Sequence, residues 1–283
     1  MKQVLSLGAG VQSSVVLLMS CKGELPKLDA AVFADTGWEP AAVHAWFEAV
    51  LVPEAEKAGI PLHVVRATEG GIREDTLRHI HPDTEGRNGT IPFYTKRGKQ
   101  ETGGAKKRSG LGQRRRSCTK VYKIQPLERK IREIAGLKKY QRWKGKTPAV
   151  EQWFGISLDE VQRMRDSQHN WCSYRYPLLY DVPLTRQGCV AWIEKNGYPL
   201  APKSACIGCP YRSREMWARL KEVPAEWADA VAFDKAIRKV RGFEGECFVN
   251  EHRVPLDEVD LESEFDKGQL SLFGSQCDGM CGV

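Results

Sequence analysis

The sequence predicts an α/β fold, in which a doubly wound parallel sheet is followed by a cysteine-rich, helical C-terminal portion. Short apolar segments of strand length alternate with segments of helical periodicity in the first part of the chain, which is the pattern of a parallel sheet covered by helices. A glycine-rich turn joins the first strand to the first helix. The chain has 283 residues, 41% hydrophobic and 28% charged, and no run of about 18 apolar residues exists to cross a bilayer. This composition excludes an integral membrane protein.

The first strand and helix enclose a loop suited to phosphate. Residues 4–6 are an apolar strand, the sequence Gly8-Ala9-Gly10 follows, and residues 15–19 have helical character. The glycines allow the backbone to approach an anion closely, and the free N–H groups of the first helical turn point at it. Phosphate binding is expected here, although a plain strand-to-helix turn would use the same two glycines.

Two further strands complete the first half of the predicted sheet. Residues 30–34 are apolar and end at Asp35 and Thr36, while residues 62–65 form a third strand after a helix at residues 43–51. In open α/β sheets, ligands bind at the carboxyl ends of the strands. An acid and a hydroxyl at that edge are therefore candidates for a ligand site.

The remainder of the chain is predicted to hold one long insertion and several helices. Residues 83–117 lack periodicity and are rich in Gly, Thr, Lys and Arg, which indicates a long, mobile loop that closes over the site or grips a substrate. We expect a domain of residues 1–200 that contains this insertion, and a cysteine-containing helical region of residues 201–283. The other predicted elements are a helix over residues 124–134, a strand at residues 152–156, a helix carrying Asp159, Glu160 and Arg163, and helices at residues 184–196, 213–223 and 224–240.

Positive charge is concentrated in one stretch of the chain. Residues 96–146 contain 19 Lys or Arg and three Glu, a formal charge of +16, whereas the rest of the chain carries −9. Such a block favours phosphates of nucleotides or of a nucleic acid, although charge runs are also common on solvated faces. Nearby aromatic side chains are suited to stacking on unpaired bases, although packing is their commoner role. They are Phe93, Tyr94, Tyr122, Tyr140 and Trp143.

Cysteines supply the strongest local motif. Cys206 and Cys209 form a C-x-x-C pair, with Cys118 upstream and with Cys277 and Cys281 in the tail. Two thiolates at this spacing bind one metal or one cluster. An iron–sulfur cluster on Cys118, the C-x-x-C pair and one further cysteine is favoured, a zinc ion on the same residues comes next, and a redox dithiol is the third interpretation.

The remaining cysteines and the paired histidines are assigned no chemistry. Cys21, Cys189 and Cys247 lie among apolar or helical neighbours and are expected to be inert core residues. His79 and His81 have no cysteines near them in sequence to complete a metal site. An odd total of nine cysteines, several of them clustered, favours the reducing cytoplasm as the location of the protein.

The order of the motifs resembles one known family. Residues 6–14 are similar to the PP-loop of the adenine nucleotide α-hydrolase (ATP pyrophosphatase) superfamily, and residues 33–37 resemble the second nucleotide motif of its PAPS reductase-like family. Further segments follow in that family's order and extend the resemblance over most of residues 3–214. They are residues 118–127, residues 155–157 with Arg163, residues 176–178, and the pair Cys206 and Cys209.

The resemblance implies a Rossmann-like, HUP-type sheet that binds ATP with Mg²⁺, or an adenylyl sulfate. Enzymes of this kind cleave ATP between the α and β phosphates and so activate a substrate for attack by sulfur or nitrogen. Lys123, Arg163 and Arg212 are expected to offset charge on the pyrophosphate. The implied nucleotide contacts are Ser6, Gly8, Gly10, Gln12, Ser13, Ser14, Asp35, Thr36 and Gly155.

Two chemistries are known within this family, and they use the cysteines differently. A sulfonucleotide reductase would take sulfite from APS or PAPS with Cys281 as the nucleophile, while Cys277 completes the cluster or resolves a disulfide. In the family's reductases a cysteine pair helps to hold a [4Fe–4S] cluster, and Ser117 replaces one member of that pair here. Some thiolases of the superfamily hold their cluster with only three cysteines, and Cys118 with the C-x-x-C pair meets that number.

We favour thiolation of a nucleic acid bound through the basic segment of residues 96–146. Such a transferase also needs a partner protein that donates sulfur or electrons, and no membrane contact is expected, while self-association is left open. The sulfonucleotide reductase is the first alternative. A module that binds a nucleotide or a nucleic acid without turnover is the second.

Overall fold

A computed structural model describes residues 1–80, 91–97, 110–240 and 243–261 of the chain. Its strands are β1 (Lys2–Leu7), β2 (Ala30–Ala34), β3 (Leu62–Val65), β4 (Tyr94–Lys96), β5 (Leu111–Gln113), β6 (Val150–Phe154), β7 (Cys172–Arg175) and β8 (Glu246–Phe248). Its α-helices are α1 (Val11–Lys22), α2 (Ala41–Trp46), α3 (Val52–Ala58), α4 (Gly71–Ile80), α5 (Gln125–Ile134), α6 (Pro177–Tyr180), α7 (Arg186–Lys195), α8 (Arg214–Lys221) and α9 (Pro224–Ala236).

The central sheet is parallel and has the strand order β3-β2-β1-β6-β7. The chain therefore moves outward from β1 in one direction, then returns to add β6 and β7 on the other side. Val4 is aligned with Ala30 of β2, and Lys2 is aligned with Val150 of β6. The crevice where the strand order reverses, at the carboxyl ends of β1 and β6, is the place where such sheets bind ligands. The predicted doubly wound, Rossmann-like α/β fold is confirmed.

Helices cover both faces of this sheet because successive side chains of the central strands are apolar. Leu5 and Phe33 pack into a core with α1, α2, α3 and α7, whereas Val4 and Val32 pack into a second core with α5. Side chains alternate between the two faces of a strand, so a strand buried on both faces is continuously apolar. This explains why β1 and β2 could be located from apolar runs alone.

The predicted loop of residues 83–117 is partly wrong, because two of its segments are strands. β4 pairs antiparallel with β5 and with β8, and the three strands form a second, small sheet. Strands of three residues, made here of Tyr-Thr-Lys and Leu-Gly-Gln, are too short to leave a periodic pattern. The rest of the predicted loop, residues 83–90 and 98–109, lies outside the described residues, as do His81 and the tail from residue 262.

The C-terminal region shares a hydrophobic core with earlier segments. Trp217 of α8 and Phe233 of α9 belong to one buried cluster with Trp38, Ile72 of α4 and Phe93 beside β4. Residues 201–261 therefore pack onto the carboxyl-end side of the chain's first half, where they can reach the crevice between β1 and β6. Among the helices described, none is long and apolar enough to cross a membrane.

Other differences from the sequence prediction are local. The helix expected at Asp159 is a short 3₁₀ segment, Leu158–Arg163, with non-helical dihedral angles at Glu160. β7 and α4 were not predicted, and His79 lies on α4. Two helices contain π-helical turns, Phe47–Leu51 between α2 and α3, and Thr119–Ile124 before α5. The helices predicted near residues 124–134, 184–196, 213–223 and 224–240 are confirmed as α5, α7, α8 and α9.

Candidate functional site

The glycine loop presents bare backbone to the crevice. Ala9 adopts a positive φ of 53°, and Gly10 is the N-cap of α1 without any side-chain cap. Ser13 Oγ accepts a hydrogen bond from Gly8 N at 3.1 Å, which folds the loop over the first turn of the helix. The N–H groups at the start of an α-helix have no partner within the helix, and the helix dipole favours an anion there. The loop therefore has the geometry of a phosphate site.

β6 approaches this loop so closely that only glycine fits at its end. A Cβ atom on Gly155 would lie 2.6 Å from both N and Cα of Ser13. Two side-chain bonds join the same elements, because Gln152 Nε2 donates to Ser6 Oγ at 2.7 Å and Gln12 Nε2 donates to Ser157 Oγ at 3.4 Å. The crevice between β1 and β6 is thus held closed at its base, with the helix N-terminus at its floor.

The open cleft above the loop, here called the phosphate cleft, encloses about 800 Å³. That size is in the usual range for small-molecule pockets. Three cationic side chains line it, and among the described residues Glu160 is the one acidic side chain that does so. Glu160 Oε1 lies 2.8 Å from Arg163 Nη1, so its charge is paired. The lining residues that the argument uses are Ser6, Gly8, Gly10, Gln12, Ser13, Gly155, Arg163, Arg186, Lys203, Ser204, Cys209 and Tyr211.

Ser204 contributes an unsatisfied hydroxyl to the phosphate cleft. Its Oγ is buried and has no hydrogen-bond partner, and a Cβ on Gly10 would lie 3.7 Å from the Ser204 Cβ. A buried polar atom without a partner is unusual in native proteins and calls for an explanation such as a ligand. Ser204 therefore marks a place where a ligand's acceptor oxygen would complete the bonding.

Several of these lining residues were missed by sequence reasoning. Arg186 begins α7, whereas Lys203 and Ser204 precede the C-x-x-C motif by a few residues. They enter the cleft only because the chain after β7 folds back over the crevice. The closeness of Lys203 and Ser204 to Cys206 in sequence was the one signal that could have found them.

The three upstream cysteines line one neighbouring cavity, here called the cysteine cavity. Cys118, Cys206 and Cys209 share its wall with Thr36 and Lys123. Cys209 and Tyr211 also line the phosphate cleft, so the two spaces adjoin. The sequence-predicted thiols are thus brought together by the fold.

The donor set of this cavity suits a soft metal, but the thiols do not form a finished metal centre. Within the described ranges, no group of three or more His, Cys, Asp or Glu side chains is arranged to hold a metal ion. The proposed further ligand Cys277 and the proposed nucleophile Cys281 lie outside the described residues. A cluster at this place therefore stays a prediction that depends on the donor chemistry of three thiols.

Arg212 holds the C-x-x-C turn from inside. Its guanidinium donates hydrogen bonds of 2.9 to 3.2 Å to the carbonyl oxygens of Ala205, Cys206 and Ile207. Burial lowers the pKa of Arg212, while the nearby Cys209 and Cys206 thiols act to raise it. Gly208 packs on the indole of Trp38, where a Cβ would lie 2.1 Å from the ring. Arg212 thus positions the cysteines and has no direct place on the phosphate cleft.

Lys123 lies at the cysteine cavity and not among the lining residues of the phosphate cleft. Its Nζ is 3.5 Å from Glu39 Oε1, and the Glu39 side chain is fully buried. Thr36 Oγ1 donates to the same oxygen at 3.0 Å and lies 3.2 Å from Cys206 Sγ. The other carboxylate oxygen of Glu39 is buried without a partner. A small polar network therefore touches the thiols, and it contains two of the predicted site residues.

Two other predicted nucleotide contacts are used within the fold. Asp35 is ion-paired with Arg66, its Oδ2 lying 2.5 Å from Nη2, and it accepts a bond from Gly37 N at 2.7 Å. Ser14 is fully buried and its Oγ accepts a bond from Trp46 Nε1 at 3.0 Å. Both side chains stabilise turns or core packing next to the crevice, because short polar groups there also have to satisfy the ends of strands and helices.

The remaining cysteines are free thiols in apolar surroundings. Burial raises the pKa of Cys189 and of Cys172 to about 12, that of Cys21 to about 11, and also that of Cys247. A thiol is nucleophilic only as the thiolate. These four side chains therefore have the properties of inert packing residues, as expected for Cys21, Cys189 and Cys247.

Comparison with known proteins gives a structural similarity and no sequence match. The structure is similar to that of a phosphoadenylyl-sulfate (PAPS) reductase from Candida auris in a phosphate complex, with a TM-score of 0.44 and 13% sequence identity, over 73% of this chain and 81% of that chain. This likeness concerns the overall fold. No family model matches the sequence, and no curated protein matches it.

Proposed function

We propose that the protein binds an adenine nucleotide in the phosphate cleft and cleaves ATP between the α and β phosphates. The carrying observation is the uncapped N-terminus of α1 at the switch point of the sheet, faced by Arg163, Arg186 and Lys203. Three cations and a helix N-terminus in one cleft favour a ligand with several negative charges, such as a triphosphate. The resemblance of residues 6–14 to a PP-loop supports the same ligand.

In this reaction an oxygen of the acceptor substrate attacks the α-phosphorus, and the bond from that phosphorus to the bridging oxygen breaks. The acceptor becomes adenylated and pyrophosphate leaves. Backbone N–H groups from Gly8 to Ser13 stabilise the leaving group, and Lys203 and Arg186 offset its charge. The Ser204 hydroxyl donates to a phosphate oxygen. Mg²⁺ would arrive on the nucleotide, since the paired Glu160 is the one carboxylate that lines the described cleft.

We further propose that sulfur replaces the activated oxygen and that AMP then leaves, with the thiols beside the cleft serving this transfer. Cys209 lines both spaces, so a sulfur atom held in the cysteine cavity would lie next to the activated substrate. An iron–sulfur cluster bound by Cys118, Cys206 and Cys209 would supply a Lewis-acidic iron that binds sulfur. Cys277 is the proposed fourth ligand. The sulfur comes from a separate donor, and an acceptor nucleic acid is proposed for the product.

The first test compares nucleotides with the anaerobically purified protein. We expect ATP to raise the thermal midpoint more than APS or PAPS at equal concentration, since binding to the folded state stabilises it. Replacing Lys203 and Ser204 by alanine together should weaken ATP binding by about tenfold or more. Lys195→Ala, an exposed lysine of α7, is the matched control and should change nothing. Pyrophosphate release with candidate acceptors is then measured for the same proteins.

Other outcomes identify the alternatives. A preference for APS or PAPS, with activity lost on deletion of residues 277–283, would identify a sulfonucleotide reductase. ATP binding without pyrophosphate release for any acceptor would leave a nucleotide-binding module. No stabilisation by any of the three nucleotides would refute the proposed ligand of the cleft.

Iron content tests the cysteine cavity separately. Cys206→Ser should remove most of the bound iron, because it takes away one of three clustered thiols. Cys21→Ser is the matched control, since Cys21 lies on α1 and its pKa of about 11 marks a packing residue. Iron and acid-labile sulfide are measured after anaerobic purification. Full iron retention in Cys206→Ser would contradict the cluster, and zinc in place of iron would replace it.

A further inference from the structure

A tight turn after α5 is held rigidly from two sides. Gln141 N donates to Lys138 O at 3.0 Å, which closes a four-residue turn. Arg132 Nη2 of α5 donates to Lys138 O at 3.1 Å and to Gln141 O at 2.9 Å. Lys138 N in addition donates to Gln141 Oε1 at 3.0 Å. The conformation of this turn, residues 138–141, is therefore fixed by the fold.

The turn presents Tyr140 to solvent in an unfavourable backbone conformation. Its φ is +63° and its side chain is 86% exposed. Glycine is the usual residue at this third position of a turn with positive φ, because a Cβ is strained there. Such strain is characteristic of functional sites. A large aromatic side chain that is both strained and exposed gives no packing in return, so its value lies in a contact outside the chain.

Tyr140 differs in this respect from the other aromatic residues of the basic region. Phe93 and Tyr122 are buried, at 2% and 3% exposure. Trp143 packs over Gly145 and donates from Nε1 to Thr147 O at 2.9 Å. The guanidinium of Arg253 lies 5.2 Å from the ring centre of Tyr94, whose pKa is raised by burial. Of these aromatics, Tyr140 is the one whose ring faces remain open for stacking.

Unpaired positive charge surrounds Tyr140. Residues 125–146 contain eight Lys or Arg and two Glu, a formal charge of +6. Glu133 is paired with Lys130 at 2.7 Å, and Glu128 lies 3.1 Å from His169. Among the described residues, none of the following exposed cations forms an ion pair: Arg129, Lys138, Lys139, Arg142, Lys144 and Lys146.

An open groove connects this turn to the working edge of the sheet. The groove encloses about 2100 Å³ and is lined by Arg129, Lys139 and Tyr140 at one end and by Thr68 and Val121 at the other. Thr68 follows β3 at the carboxyl edge, and Val121 lies three residues after Cys118. The helical segment from residue 119 to 134 is roughly 24 Å long at 1.5 Å per residue. That length corresponds to about seven nucleotides at 3.4 Å each.

We propose that this surface, formed by the turn of residues 138–141 and the basic groove, binds a single-stranded segment of nucleic acid with one base stacked on Tyr140. Exposed cations bind the phosphates and the aromatic ring takes an unpaired base, which is the usual way that single strands are held. The groove leads the strand toward the cysteine cavity. The inference names an acceptor class for the proposed sulfur transfer, and it is tested without nucleotide or turnover.

The test is a binding titration of the full chain with a fluorescent single strand of about 15 nucleotides, in DNA and RNA form, and with the matching duplex. Tyr140→Ala should weaken single-strand binding about tenfold, and Tyr140→Phe should bind nearly as the natural protein does, because the ring is retained. Tyr140→Gly should lose affinity like Tyr140→Ala without any loss of thermal stability, because glycine accepts the positive φ. Replacing Lys139 and Arg142 by alanine should lower the salt slope by about 0.7 for each contact.

Two matched controls accompany these variants. Tyr180→Ala removes another exposed tyrosine, 68% exposed on α6, and Lys195→Ala removes an exposed lysine of α7. Neither should change the affinity. Tighter binding of one sugar type than of the other supports the proposal and assigns its substrate. Unchanged single-strand affinity in both Tyr140→Ala and Tyr140→Gly, or equally tight binding of the duplex, would overturn it. Because ATP is absent, failure here leaves the nucleotide proposal standing, and the reverse also holds.

Discussion

The phosphate cleft and the cysteine cavity share a wall but are built in different ways. The cleft depends on backbone, on the glycine loop and on the close approach of Gly155 to Ser13. The cavity depends on side chains from separate segments, with Arg212 holding the C-x-x-C turn through carbonyl oxygens. A site made of backbone is fixed by local sequence and topology, whereas a site made of side chains exists only after distant segments have assembled. The two should therefore fail differently when changed.

The largest effect is expected from Gly155→Ala. The new Cβ would meet backbone atoms of Ser13 at 2.6 Å, so the loop or β6 must move. Displacement of a positioning group by about 1 Å can reduce catalysis about 100-fold, and overpacking costs about 1 to 3 kcal/mol of stability. Pyrophosphate release and urea unfolding measure the two effects.

Gly8→Ala is the comparison for Gly155→Ala in the unfolding measurement. Its new Cβ would lie 3.5 Å from Ser13 Oγ, an ordinary contact distance. We expect a small change in stability. Equal stability losses in the two variants would show that the close approach at Gly155 does not hold the cleft.

A smaller but still large effect is expected from Arg212→Ala. Its loss leaves carbonyl oxygens of Ala205 and Cys206 without their donor, and unsatisfied buried groups should reduce the free energy of unfolding by about 3 kcal/mol. Bound iron should fall with it if the cluster is present. Arg219→Ala, an exposed arginine of α8, should change stability by less than about 0.5 kcal/mol. A near-neutral Arg212→Ala in urea unfolding would contradict the structural role.

The smallest effect is a difference in thiol reactivity. At about pH 8, a thiol with a pKa of about 12 has roughly one part in 10⁴ as thiolate. Cys172 and Cys189 should therefore resist iodoacetamide in the folded protein and react in urea, and their folded-state reactivity should rise with pH because the thiolate fraction rises. Mass spectrometry of peptides measures this. Rapid labelling of Cys189 in the folded chain would show that its surroundings are more open than the structure indicates.

The sequence was sufficient for the sheet and the glycine loop, and it was insufficient for the side chains that complete the site. β1, β2 and β3 are apolar runs of strand length, and the loop of Gly8 and Gly10 is a local motif, so both follow from short stretches of sequence. Polar strands of three residues such as β4 leave no such pattern, and its partner β8 lies about 150 residues away.

Roles of individual polar residues were harder to predict for a related reason. Ser14 and Asp35 stand in nucleotide motifs, yet their side chains satisfy Trp46 and Arg66 inside the fold. Lys203 and Ser204 stand in no motif, yet they line the cleft because the chain returns over β1 and β6. Which partner a polar side chain finds is decided by tertiary packing, and sequence spacing alone does not contain that information.

The position of β1 in the middle of the sheet has a consequence for synthesis on the ribosome. Lys2 is aligned with Val150, so one edge of the first strand stays unpaired until β6 has been made. Pairing across so long a separation is slow, and an exposed apolar strand edge is prone to aggregate. The nascent chain therefore emerges with its central strand half-paired, which is the kind of surface that chaperones protect during synthesis.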